Sequence, residues 1–380
     1  MADIKFKNHL QKSQEFDKSK LIREKKEIIQ RFQQQYIIES EEPTRYKKGI
    51  KIKNYIDLGK YEGELNNDKR CGKGIYYYSN GDTYVGEWKD DRFHGKGVYL
   101  FANGERYDGY LTESIKHGRG IYLYENGNIY EGEWANDKKN GQGTYTYFVN
   151  NEKFEGQWVD GEKHGKGLYI YTSGDQYFGD WRDGAKSGKG VFEYLNGSRF
   201  EGEFLDDKAN GFGVMEYQNQ DKYEGEWTGG LKEGQGIYWY SDGAKYQGQW
   251  RNDQQFGHGI FYYVNGDRYE GSFVDGERSG KGIYIYTNGD RYEGDYKNDL
   301  RSGIGRLKMI NNDVYYGEWS NGKINGKGRY EYANGDYFEG VFQDGKRQGK
   351  GVYFWKNGDK LIGYWKNDKM DGEGEFRQQN

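Results

Sequence analysis

Two short runs hold residues that could do chemistry. Residues 184–190 read GAKSGKG and residues 276–282 read GERSGKG. Glycines around a lysine suggest a phosphate loop, whose backbone N–H groups cradle the phosphates while the lysine neutralises them. Such a loop needs four residues before its Gly-Lys, a Ser or Thr after the lysine, and a helix behind it. Here three residues intervene, a glycine follows the lysine, and the flanking residues alternate as a strand does. No nucleotide site is read. Three of the five histidines, His94, His117 and His164, each precede a glycine at one position of a repeat. Equivalent residues two strands apart lie about 10 Å from each other, whereas zinc binds its ligands at about 2 Å. No metal, cofactor or catalytic set is expected, and no Ser-His-Asp or Cys-His arrangement stands out. Cys71 is the sole cysteine, which leaves no internal disulfide and fits a reducing, cytoplasmic setting.

The elements that carry these residues repeat. Tyr61, Tyr84, Tyr107 and Tyr130 are 23 residues apart; Phe154 follows after 24, and the 23-residue step resumes to Leu361. With the opening aromatic as position 0, glycine recurs at positions 2, 11 and 13 of all fourteen repeats, which accounts for 42 of the 61 glycines. Position 4 is Trp in eight repeats, positions 15 and 17 are mostly Tyr, and Asn-Gly closes many repeats, as at Asn103-Gly104. The key residues are two apart (Tyr84, Gly86, Trp88; then Gly95, Gly97, Tyr99, Phe101), which is strand alternation with one aromatic face. The polar run KDDRFH between them reads as a loop, and Asn-Gly as the tight hairpin turn. Glycine on the aromatic face lets a neighbouring ring lie over bare backbone. Each ring can then bury about 150–250 Å² without a second layer. On the opposite face, acids at position 3 (Glu87, Glu133) and lysines at position 12 (Lys96, Lys166) predict cross-strand ion pairs. The acids repeat with the period, which marks them as ladder residues rather than catalytic ones.

Tyr-x-Gly-x-Trp followed by Gly-x-Gly, repeated over residues 61–380, resembles the MORN repeat (membrane occupation and recognition nexus). The reading is an all-β fold: an elongated single-layer antiparallel meander of about fourteen hairpin repeats. At about 4.8 Å per strand this implies a length of roughly 130 Å before twist. Departures from the pattern predict local changes of curvature: the extra residue near Asn150-Asn151, Gln220 and Asn312 in place of the turn glycine, and Leu307 and Met309 in place of a Tyr pair.

Residues 1–45 form a charged segment with an amphipathic helix, ended by Pro43, whose apolar stripe includes Leu21, Ile22, Ile28, Ile29, Phe32 and Tyr36. It is read as a cap on the first repeats, as a partner-binding or assembly helix, or as a membrane-surface helix, the last opposed by Glu24, Glu27 and Glu39, which dilute the basic face such helices use. Residues 46–60 read as a degenerate half repeat in which Lys51 and Lys53 guard a sheet edge. Residues 1–53 carry a net +6 and the remainder −10, so the repeats are acidic, which argues against a nucleic-acid binder. With 39 tyrosines counted in a hydrophobic fraction of only 33%, a thick aliphatic core is excluded, yet 18% aromatic excludes a disordered chain.

The resemblance implies a non-enzymatic scaffold that binds extended or helical segments of other proteins. Stand-alone MORN arrays are similar to radial spoke head proteins of motile cilia, which implies an axonemal, cytoskeletal setting. The alternative is a module that binds acidic phospholipid and tethers membrane, which the −10 charge of the repeats opposes. Trp88, Trp134, Trp158, Trp181, Trp227, Trp250 and Trp319 are the candidate partner groove, with support of the sheet as their other reading. No oligomeric state follows from the sequence.

Overall fold

The computed structural model describes residues 50–56 and 58–379, together with Glu27 and Gln30. These residues form thirty strands, and every pairing between them is antiparallel. They divide into two compact units at Leu195/Asn196. In the first, β1 (Ile50–Tyr55) pairs with β2 (Gly59–Asn66), β2 with β3 (Lys69–Tyr78), β3 with β4 (Thr83–Lys89) and β4 with β5 (Arg92–Leu100). The same two-strand pattern continues to Ala185–Glu193. The second unit repeats it from Arg199–Leu205 to the short terminal strand Glu375–Arg377. The all-β meander is the one the alternation predicts. Glu27 and Gln30 are helical; the remainder of the predicted N-terminal helix, with Leu21, Ile22, Ile28, Ile29, Phe32, Tyr36 and Pro43, lies outside the described residues.

The two turn types are exchanged relative to the sequence reading. KDDRFH is not a loop: β4 ends at Lys89, β5 starts at Arg92, and only Asp90 and Asp91 turn the chain. Both have positive φ, 49° and 69°, as a two-residue type I′ hairpin requires. Asp and Asn tolerate this region better than other side chains, so Asp-Asp and Asn-Asp serve where Asn-Gly was expected. Asn103-Gly104 instead closes a three-residue loop. Gly104 N–H donates to the Phe101 carbonyl, Phe101 N–H donates to the Glu105 carbonyl, and Gly104 takes φ 97°.

The departures from the repeat leave these turns intact. Gln220 and Asn312 hold the glycine conformation at φ 70° and 71° and keep both turn hydrogen bonds, at 2.9–3.0 Å. The extra residue at Asn150-Asn151 is taken up in the loop, and Glu152 still pairs with Tyr147 in register. A left-handed residue with a side chain costs about 1–2 kcal/mol, and glycine returns about half of that through its freer unfolded state. Gln220→Gly is therefore expected to stabilise the second unit by about 0.5–1 kcal/mol. A higher urea midpoint at unchanged slope is the check, and an unchanged midpoint refutes the strain.

The glycines at positions 2 and 13 face each other within a repeat and between one repeat and the next. Gly63 lies opposite Gly74, Gly74 opposite Gly86, and Gly86 opposite Gly97. A Cβ on Gly86 would lie 2.5 Å from the Tyr84 hydroxyl and 2.6 Å from the Gly97 Cα. The ring of Tyr84 lies flat on this bare strip and is fully buried, and its hydroxyl donates to the Glu87 carbonyl at 2.9 Å.

The third glycine does something else. Gly95 has φ 61° and sits in a β-bulge, since the register shifts between Gly86 and Glu87. It is not floor for a ring; the Glu87 side chain lies over it. The position-3 acid above such a bulge accepts the backbone N–H of position 12: Asp180 from Lys189 at 3.0 Å, and Asp295 from Ile304 at 3.1 Å. The cross-strand ion pairs expected at these positions are present too, with Lys166 to Asp180 at 2.8 Å and Lys281 to Asp295 at 2.6 Å.

Candidate functional site

The aromatic face is built in tiers. The lowest is the row of position-0 rings on the glycine strip. Tyr61, Tyr84, Tyr130 and Tyr177 in the first unit, and Tyr223, Tyr246 and Tyr269 in the second, are wholly buried.

The tryptophans form the next tier. Trp88 stands edge-on between the position-0 rings of its own and the preceding repeat, 5.1 Å from Tyr84 and 5.3 Å from Tyr61. Trp250 repeats this against Tyr246 and Tyr223, each at 5.2 Å. The indole N–H donates to a glycine carbonyl of the preceding repeat: Trp88 to Gly74, Trp134 to Gly120, Trp158 to Gly143, Trp181 to Gly167, Trp227 to Gly213, Trp250 to Gly236 and Trp319 to Gly305, all at 3.1–3.3 Å. These seven candidate groove residues are only 3–8% exposed. Their polar edge is satisfied within the sheet, and little ring surface is left to meet a partner.

Cationic side chains at position 9 lie over the indoles. The Arg70 guanidinium is 4.4 Å from the Trp88 ring, and the Lys139 ammonium is 4.1 Å from the Trp158 ring. Arg301 covers Trp319 at 4.2 Å. A cation over an indole face is favourable, and the stems of Lys and Arg cover apolar surface. The same site takes the charge out of water, and burial pushes the Lys139 ammonium down to about 8. The Asp91 turn binds Arg70 from the adjacent repeat, accepting from its backbone N–H at 3.0 Å and from Nε at 2.9 Å.

The top tier is the double row of rings at positions 15 and 17. In the first unit these rings run without a break from Tyr78 to Tyr194 in a zigzag, with centroids 4.5–6.1 Å apart. In the second unit the run from Tyr217 reaches Tyr286, stops at Leu307 and Met309, and resumes at Tyr330. The position-17 rings are half-buried, and Tyr194 is 37% exposed. They, rather than the tryptophans, give the aromatic face its accessible surface. The sequence shows this row, but ring size alone does not say which row lies deepest.

Position 21 escaped the sequence reading. Its carboxylate accepts from the position-15 phenol of the next repeat: Tyr99 to Asp82 at 2.9 Å, Tyr169 to Glu152 at 2.6 Å, and Tyr284 to Asp267 at 2.7 Å. It also accepts a backbone N–H from that repeat, as Asp267 does from Thr287 at 2.8 Å. Burial first, then the hydrogen bond to Asp267, raises the Tyr284 phenol well above its ordinary range. A signal was present in the repeats themselves. Where position 21 is Ala244, the ring 17 residues on is Phe261, which has no hydroxyl to place; the signal is partial, because Asp175, Asp290 and Asp359 stand with Phe192, Leu307 and Phe376.

Among the described residues no cluster of His, Cys, Asp and Glu could hold a metal ion. GAKSGKG and GERSGKG enter the strands Ala185–Glu193 and Glu277–Ile285, with Gly184 and Gly276 in the preceding turns, so neither is a loop before a helix. The geometry offers an aromatic surface with cations laid over its indoles.

No curated protein matches the sequence. Among solved structures, similar ones include the TCP10 domain of Danio rerio CPAP, at 12% identity over 52% of this chain and 93% of that one, TM-score 0.32. The same domain in complex with a peptide of Danio rerio STIL matches at 11% identity over 69% and 98%, TM-score 0.22. A virginiamycin B lyase from Staphylococcus aureus matches at 13% identity over 72% and 88%, TM-score 0.13. None of these three scores implies a shared fold. The MORN repeat matches residues 61–83, 84–106, 107–129, 130–151, 154–176, 177–199, 200–222, 223–245, 246–268, 269–291, 292–314, 315–337, 338–360 and 362–380. Those spans follow the hairpins strand for strand, and on that ground the chain belongs to the MORN repeat family.

Proposed function

We propose that the chain is a non-enzymatic scaffold that holds an extended or helical segment of another protein along the tyrosine rows of its aromatic face, within a ciliary axonemal assembly such as a radial spoke head. The observation that carries the binding mode is the zigzag of half-buried rings above a buried tryptophan tier, unbroken from Tyr78 to Tyr194 in the first unit. Rings locked by their neighbours lose little freedom on binding, and Tyr is enriched where interfaces hold tightest. The axonemal setting rests on the likeness of stand-alone MORN arrays to radial spoke head proteins. The lipid reading is weaker, because the repeats carry a net −10 and two of the position-12 lysines that would meet anionic headgroups, Lys166 and Lys281, already face carboxylates.

The test is in-cell cross-linking with mass spectrometry on the full chain and on Tyr124→Ser/Tyr194→Ser, with circular dichroism confirming an intact sheet. Cross-links to axonemal proteins, reduced about tenfold or more in the folded variant, are expected for two hot-spot rings. Cross-links confined to other compartments refute the axonemal setting. Salt-sensitive flotation with phosphatidylserine vesicles, equal in both proteins, would favour the lipid reading over the scaffold.

A further inference from the structure

The face opposite the rings is open to solvent along most of the chain but buried at its start. Position 1 is 3% exposed at Val85, against 56% at Phe178 and 58% at Tyr316. Position 14 is 0% exposed at Ile75 and 42% at Ile121. Thr83 is 3% exposed, and its equivalent Ile129 is 39% exposed. Leu100 is 4% exposed, where Ile285 is 37% exposed. These four buried residues adjoin one another, since Ile75 pairs with Val85, and Thr83 with Leu100. Ile50 and Tyr77 pack at the margin of Ile75 and Val85. Residues on one face of a single-layer sheet do not bury one another to this degree, as the equivalent positions show. Among the described residues no second layer lies over them.

We propose that residues 14–39 of the same chain cover this patch, with the apolar stripe from Leu21 to Tyr36 laid across the outer face of the first two repeats. Three observations fit this occupant. Glu27 and Gln30 are helical and exposed, and at a spacing of three they share one side of a helix; by sequence spacing alone, the apolar Ile28, Ile29 and Phe32 belong to the other. The reach is sufficient, because a 26-residue helix spans about 39 Å and the patch crosses five strands, about 20 Å. About ten residues between this segment and β1 extend to about 33 Å, enough for the chain to return. Charge also fits, since residues 1–53 carry +6 and the rest of the chain −10. The segment is then a cap that protects the first repeats, as the ends of repeat arrays require, and it leaves the aromatic face free.

The test uses the full chain with Cys71→Ser and a single new thiol at Val85→Cys or Phe178→Cys. Thiol labelling at position 85 is expected to be at least about tenfold slower than at 178, because a covered thiol reacts only when its cover opens. Adding Ile28→Glu/Phe32→Glu should bring the two rates together with an unchanged β signal in circular dichroism. Should that charged pair disturb the sheet, Phe32→Cys with Val85→Cys in the Cys71→Ser chain gives a second readout: oxidation is expected to form an intramolecular disulfide in the monomer. Equal rates at 85 and 178 in the chain with its native N-terminus overturn the proposal. So does slow labelling at 85 that the charged pair leaves unchanged. Protection that appears only with a doubled mass in light scattering assigns the cover to a second copy and overturns the intrachain reading.

Discussion

Gly225→Ala is expected to destabilise its hairpin by about 3–4 kcal/mol, far beyond an ordinary glycine-to-alanine change in a strand. Its backbone is extended, so φ is not the obstacle. The added Cβ would lie 2.6 Å from the Gly236 Cα, the Gln235 carbonyl oxygen and the Tyr223 hydroxyl. Two of these are backbone atoms of the paired strand, held by the ladder from Lys222–Trp239 to Gly236. The ring is the only mobile neighbour, and it sits between Trp227 and Trp250, each 5.2 Å away. Lifting it breaks the 3.0 Å bond from its hydroxyl to the Glu226 carbonyl, worth about 0.5–1.5 kcal/mol, in addition to the overpacking. Gly234→Ala is the control. There φ is 67° and the nearest group is the flexible Glu226 side chain, so the cost is the left-handed strain of about 1–2 kcal/mol. Amide exchange across residues 222–239 should separate the two variants by at least about tenfold. Equal protection would mean that Gly225 is not floor for a ring.

Much of this fold is legible in the sequence because the period is sharp and the aromatic–glycine alternation allows one pairing. The misread parts share a cause: residue type does not reveal conformation. Asn-Gly is the strongest short hairpin signal, yet the type I′ turn fell to Asp90-Asp91, whose side chains also tolerate positive φ. The polar run after Lys89 looked like a loop, because Arg92, Phe93 and His94 carry no simple alternation; the bulge at Gly95 shifts the register there. Gly95 and Gly97 are identical in type, and only the shift makes one a bulge and the other a floor. The tryptophan row was visible, but its depth depends on position-9 cations from the preceding repeat, 18 residues away, as with Arg70 over Trp88.

Asp267→Ala is expected to cost about 2–3 kcal/mol at pH 7, and Tyr284→Phe in the same chain to return about half of it. Asp267 is 9% exposed and accepts four hydrogen bonds: Tyr284 hydroxyl at 2.7 Å, Thr287 N–H at 2.8 Å, Thr287 hydroxyl at 2.7 Å and Asn265 Nδ2 at 2.9 Å. A hydrogen bond to a charged group contributes about 1.5–3 kcal/mol, and a buried donor left without its acceptor carries a penalty of its own. Removing the phenol hydroxyl along with the carboxylate removes that penalty, which is the arrangement the chain itself uses at Ala244 and Phe261. Acid gives an independent reading. Burial raises the Asp267 carboxyl, but its bonds from Thr287, Tyr284 and Asn265 outweigh this and lower it from 3.8 to about 2. A depressed carboxyl contributes stability that is complete above its unfolded value and lost as pH falls through the folded one. The gap between the native chain and Asp267→Ala should therefore be full above pH 4 and shrink as pH falls towards 2. Urea unfolding of the single variants and the double variant at pH 7 and pH 3 measures both. A double variant no more stable than Asp267→Ala would show that the carboxylate and the phenol are not a unit. In that case the repeats are tied together by the backbone ladder, the ring tiers and the turn contacts such as Asp91 with Arg70.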